Sequence, residues 1–146
     1  MGRVGIAHRL LPDLGLTVVV WHGEVTADDS AYHLVRLADE PCWPPGSLHL
    51  TDMRTVTTVT LPDPELLELM FEGSHWRDED LKKVVIVSAE LLRNTRVQDS
   101  AAALGMNADV FGDVANACAH LRIDPIATAA LLEELRSEID DATRTQ

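Results

Sequence analysis

The chain opens with two apolar stretches separated by turn chemistry. Val4 to Leu10 reads as a strand, Pro12-Asp13-Leu14-Gly15 as a turn, and Leu16-Thr17-Val18-Val19-Val20-Trp21 as a second strand. The second run is almost continuously β-branched, the pattern of a strand buried on both faces. Gly23 is expected to end it. Thr26 stands three residues before Asp29, the spacing of a capping box, so a helix is predicted from there to about Glu40, where Pro41 stops it. Ala31, Leu34, Val35 and Ala38 form its apolar stripe.

Cys42-Trp43-Pro44-Pro45-Gly46 reads as a stiff loop and Ser47 to Met53 as the third strand. Thr55 to Leu61 is extended and rich in Thr and Val. Asp63-Pro64-Glu65 then carries a helix start: a cap, a proline at the first position and an acid in the first turn. Leu66, Leu69, Met70 and Gly73 fall on one face of that helix. Val84-Val85-Ile86-Val87 is the clearest strand, and Ser88 caps a further helix that Gly105 closes. Ala108 to Phe111 is a short last strand. Asp113 opens a helix with Val114, Ala117, Cys118 and Leu121 at i, i+3, i+4, i+7. A final helix runs from Asp124-Pro125 to about Ile139, with Thr128, Leu131, Leu132, Leu135 and Ile139 as its buried stripe, and Thr143 to Gln146 should fray.

Strands alternating with helices predict an α/β domain. Its sheet should be mixed, mostly parallel and about five-stranded, with helices mainly on one face plus an extra C-terminal helix. The expected organisation is one domain over 1–123, followed by 124–146, a helix and tail packed on the domain or on a partner. The leucine stripe of that last helix must be covered by something, which points to a homodimer if the chain does not cover it itself.

Composition narrows the partners. The chain has 146 residues, 46% of them hydrophobic, enough for one domain with a real core. A formal net charge of −12 repels phosphate backbones and anionic lipid heads and favours a protein partner with a basic surface. Met1-Gly2-Arg3-Val4 does not open a long apolar stretch, and no apolar run approaches the roughly 20 residues of a membrane span. A cytoplasmic location without membrane insertion is the expectation. Cys42 and Cys118 form no CxxC pair and read as buried reduced thiols.

Three segments together resemble the STAS family, in its SpoIIAA-like, anti-sigma-factor-antagonist branch. Val18 to Glu24, with Gly23-Glu24 before a capped helix, resembles the family's strand ending in Gly-Glu. Leu48-His49-Leu50-Thr51-Asp52-Met53-Arg54 resembles its hydrophobic strand followed by Asp. Val84 to Leu121 resembles its tail, with a short strand ending in Phe and a helix containing the small residue Ala117. The match spans roughly Val4 to Leu121. It implies a non-enzymatic regulatory or interaction module whose helix after the third strand carries a phosphorylated serine. A phosphate at a helix N-terminus is held by free N–H groups and blocks a docking surface by its charge. Here Val59-Thr60-Leu61-Pro62-Asp63 stands in that place and contains no serine. Thr58 or Thr60 is the candidate substitute phosphoacceptor, weighed against a plain role for both as β-formers in an extended segment. The docking surface implied is Asp52, Arg54, Thr58, Thr60, Pro62, Asp63 and Glu65.

The remaining chemistry is sparse. None of His8, His22, His33, His49, His75 and His120 sits at metal-ligand spacing, so neither a metal nor a cofactor is expected. His22 and His49, near the ends of neighbouring strands, read as two separate, partly exposed histidines rather than a joint site. Asp52 closes strand three, a functional position in open α/β sheets, with structural capping weighed against docking. Adjacent Ser74-His75 diverge on a helix and make no dyad, and no P-loop or nucleophile elbow occurs, so no catalytic residue is expected. Trp21 reads as core, while Trp43 and Trp76 are candidates for exposed hot spots. A second reading is a small apolar or lipid-like ligand, as in the SEC14-type relatives grouped with STAS domains, held in a cleft lined by Leu66, Leu67, Leu69, Met70 and Phe71.

Overall fold

Pro12 to Leu14 make a single 3-10 turn, and Gly15 leaves it in the left-handed region at φ 58°, with its N–H on the Pro12 carbonyl. That turn folds β1 (Ile6–Leu11) back onto β2 (Leu16–Val25) as an antiparallel pair. The computed structural model describes residues 5–29, 33, 48–59, 82–88 and 106–144. β3 (Leu48–Val59), β4 (Lys82–Val87) and β5 (Met106–Phe111) follow in parallel, giving a five-stranded sheet in the order β1-β2-β3-β4-β5. The architecture is the predicted mixed, mostly parallel α/β sheet with a C-terminal helix.

Two helices follow the sheet. Asp113 caps α1 (Val114–Leu121), its carboxylate accepting the Asn116 N–H at 2.7 Å, and α1 ends on Arg122 at φ 59°. Asp124 accepts the Ile126 N–H at 3.0 Å and so opens α2 (Pro125–Arg144). The predicted capping box at Thr26 is present in both halves. The Thr26 N–H donates to the Asp29 carboxylate and the Asp29 N–H to the Thr26 hydroxyl, each at 3.1 Å.

The sheet is buried on both faces, as the unbroken apolar runs of β2 and β4 require. Leu16, Val18, Val20, Leu50, Val85 and Val87 pack under α1 and α2, against Val114, Ala117, Cys118, Leu132, Leu135 and Ile139. The opposite face carries Val19, Trp21, Val25, Met53 and Ile86. The helical residue His33 lies on that side, edge-on to Trp21. α2 therefore packs on the sheet of its own chain. Its leucine stripe is already covered there, which removes the stripe as an argument for a homodimer.

β1, β4 and β5 shift by one or two residues at their ends, and three boundaries differ in kind from expectation. Gly23 does not end β2: at φ 72° it bends the strand, which continues to Val25. The extended Thr55 segment is not a separate element but the second half of β3 through Val59. α2 does not stop near Ile139, and helix persists through Thr143 to Arg144, one turn further than the apolar stripe indicates. The expected helices around Leu34, Leu66 and after Ser88, together with Cys42, Trp43, Thr60, Pro62, Asp63, Glu65, Ser74, His75, Trp76 and Gly105, lie outside the described residues.

Candidate functional site

β2 and β3 pair in register from Leu16↔Leu48 to Val20↔Asp52, and then the count changes. The next pair is His22↔Thr55, so Met53 and Arg54 stand opposite Trp21 alone. This is a β-bulge on β3. Side chains on a regular strand alternate, so His49, Thr51 and Met53 face one way and Leu48, Leu50 and Asp52 the other. The extra residue resets that alternation and brings Thr55 round to the α2 side together with Asp52 and Arg54. β2 keeps its own alternation, which places His22 on the same side, above Val20. One inserted residue thus brings Thr55 to the side of Asp52, Arg54 and His22, on the face of β2 and β3 beneath α2.

Asp52 anchors the group. It is fully buried, and its carboxylate accepts four N–H groups: the Arg54 backbone at 3.0 Å, Arg54 Nε at 2.9 Å, Arg54 Nη2 at 2.9 Å and Arg136 Nη2 at 2.8 Å. Two donors fall on each oxygen, which fills the carboxylate's roughly four lone-pair sites. A buried charge is tolerated only when paired and hydrogen-bonded in this way. The Asp52 hydrogen bonds push the Arg54 guanidinium above its ordinary pKa; partial burial opposes them, and the charges of Asp52 and Glu133 add to the rise. The expectation that Asp52 itself meets a partner is corrected here. Its side chain has no exposed surface and turns inward, as a structural residue in the middle of β3. Arg54 is exposed and carries the external side of the pair.

Arg136, from the middle of α2, is 12% exposed and reaches three groups: Asp52, Thr55 Oγ1 through Nε at 3.2 Å, and its helix neighbour Glu133. Thr55 Oγ1 also lies 2.8 Å from His22 Nδ1, and His22 Nε2 lies 3.0 Å from Asp140 Oδ1. Donor rules fix the direction of this row. Arginine only donates and a carboxylate only accepts. With a neutral imidazole, Arg136 Nε–H donates to Thr55, the Thr55 hydroxyl donates to His22 Nδ1, and His22 Nε2–H donates to Asp140. His22 is a quarter exposed and Asp140 half exposed, so the row opens to solvent at its helix end.

The other predicted residues are dispersed. Thr58 sits in β3 opposite Glu24, and its side chain lies outside the described residues. His49 does not join His22. It is the second residue of β3, paired with Thr17, is buried and faces the opposite layer. His33 is buried on that layer with His8, ring centroids 5.9 Å apart. Trp21 is core as expected, and its Nε1 is buried without a hydrogen-bond partner. His120 pairs with Asp109 at 3.4 Å on the outer strand, well apart in sequence from the β2–β3 cluster. Cys118 is a buried free thiol, which burial pushes above its ordinary pKa, although a Thr128 hydrogen bond opposes the rise. Among the described residues no group of three or more His, Cys, Asp or Glu is placed to hold a metal, and no helix is long and apolar enough to cross a membrane.

Thr55, Arg136, Glu133 and Asp140 were not anticipated from sequence. α2 is amphipathic, and its polar positions read as solvated face until the sheet end beneath them is known. Fold and site together define a mixed-sheet α/β protein with a braced polar cluster between β2, β3 and α2. No protein-family model matches the chain, and no curated protein matches it.

Proposed function

We propose that the chain is a cytoplasmic, non-enzymatic regulatory or protein-interaction module of the STAS type, without the usual phosphorylatable serine, that docks a protein with a basic surface. One observation carries this reading. Arg54 is held by a two-pronged grip on a fully buried Asp52 yet keeps 37% of its side chain exposed. A guanidinium fixed in place loses little freedom on binding, which suits it to anchor an interface. It stands on a molecule of net charge −12, so long-range attraction draws a basic partner while Arg54 sets local register. The docking surface begins at Arg54 and continues along the exposed Thr57 toward the segment that follows β3.

The test is co-purification from the native host at native expression, with wild type beside Arg54→Ala. A specific protein should be retained by wild type and lost from the variant, with far-UV and near-UV circular dichroism unchanged. Absence of any partner, or retention indifferent to Arg54, would count against the proposal.

A further inference from the structure

The row Thr55–His22–Asp140 has the form of an activated hydroxyl. A nucleophile lies within hydrogen-bond reach of a base at 2.8 Å, and the base is oriented by a carboxylate at 3.0 Å. That arrangement is recognised by geometry and roles, whatever the fold or chain order. Arg136 adds a fourth part, an Nε–H donated to the same Thr55 oxygen at 3.2 Å. A donor on that oxygen favours negative charge there as the proton leaves. Arg136 is held in turn by Asp52 and Glu133, so its position does not depend on Thr55. A threonine serving only to fix the helix would need one of these contacts, and Thr55 Oγ1 has both a base and a cation within reach. The row lies on the face of β2 and β3 beneath α2, with Arg136 and Asp140 reaching it from that helix.

We infer that Thr55 is a covalent acyl-acceptor site. Thr55 Oγ1 attacks the carbonyl carbon of a carboxylic ester, a C–O bond forms, and the bond to the leaving alcohol breaks. The hydroxyl proton passes to His22 Nδ1 and from there to the departing alkoxide. The products are O-acyl-Thr55 and an alcohol, with no oxidant, reductant or further reactant involved. Asp140 is a positioning residue that holds the imidazole and stabilises its charged form. The inference is confined to carboxylic esters without negative charge, since a net charge of −12 repels anions on approach. The inference is independent of the docking proposal, because an Arg54-dependent partner can be absent while Thr55 still accepts an acyl group.

The experiment uses the full chain and p-nitrophenyl acetate, following the phenolate burst and locating the acetyl group by peptide mass spectrometry. Wild type should give one acetyl on the Thr55 peptide with a matching burst. Thr55→Ser should keep both, and Thr55→Val should lose both. His22→Gln should slow acylation by about 10²- to 10⁴-fold, the usual contribution of a general base. The wild-type rate should rise with pH along a single ionisation that Asp140→Asn displaces and His22→Gln removes, a response that a merely structural contact would not produce. Acetyl found only on other residues, equal labelling of Thr55→Val, or no labelling of either wild type or Thr55→Ser overturns the inference. Thr55→Ser keeps the hydroxyl, so the last outcome decides the matter even if Thr55→Val fails to fold.

Discussion

Asp52 reaches zero exposure because every lone pair of its carboxylate is occupied by an N–H from two arginines and one peptide group. Removing it leaves Arg136 nearly buried with its main counter-charge gone, while Arg54 can turn to solvent. Asp52→Ala should therefore destabilise the protein by about 3 kcal/mol, at the low end of what breaking a buried pair costs, as read from urea unfolding. A loss below about 1 kcal/mol, the scale of an exposed pair, would mean that the brace carries little. Asp52 stood out in sequence because it follows the apolar run that opens β3, although the strand itself continues to Val59. Its partner Arg136 lies 84 positions away in the chain and carries no sequence mark of that role. Asp140 escaped for a simpler reason: it falls just past the last apolar residue of the stripe, where the pattern gives no ground for continuing a helix.

At the scale of the element, α2 joins two kinds of attachment. Leu132, Leu135 and Ile139 enter the same apolar cluster as Val18, Val20 and Leu50, while Arg136 and Asp140 grip the end of the sheet. Arg9 on β1 adds an outer tie to Glu138 at 2.7 Å. The apolar spacing revealed the stripe, but not whether the chain or a second copy covers it, since both satisfy the same burial. Leu135→Ala should destabilise by about 3 kcal/mol through lost transfer energy and a cavity, with the sedimentation coefficient of the folded protein unchanged. A stability change confined to high protein concentration, or a shift in sedimentation, would instead place the stripe in a subunit interface. β3 shows the opposite limit of pattern reading. Its run from Thr55 onward is polar and β-branched by turns, so nothing marks the bulge that carries it on as one strand.

Across the whole molecule the sheet is closed by apolar layers on both faces, and Cys118 is part of that closure. Burial pushes its thiol above the ordinary value of 9.0 despite the hydrogen bond with Thr128. The folded chain then holds the thiol proton more tightly than the unfolded chain does. Rising pH ionises the unfolded thiol first, so this contribution is intact below about pH 9 and is lost above it. Wild type should lose stability on crossing that pH in a way that Cys118→Ala does not share, measured by urea midpoints on either side of it. Parallel curves for the two proteins would show the thiol to be indifferent to folding. The α/β class and the mixed, mostly parallel sheet were legible because buried strands and capped helices alternate along the chain. The polar cluster was not, because it is assembled from β2, β3 and α2 only once the strands are side by side.

The bulge at Met53-Arg54 has a consequence for how this strand changes through mutation. Past Asp52, inward and outward facing is decided by the bulge rather than by residue identity. Deleting Met53 or Arg54 would remove the bulge and leave Thr55 opposite His22, whereas a strand of the same length paired without a bulge would turn Thr55 to the other face. A homologous strand of equal length without the bulge could therefore keep a threonine at the aligned position and lack the juxtaposition altogether. For this strand, gap placement in an alignment matters more than identity.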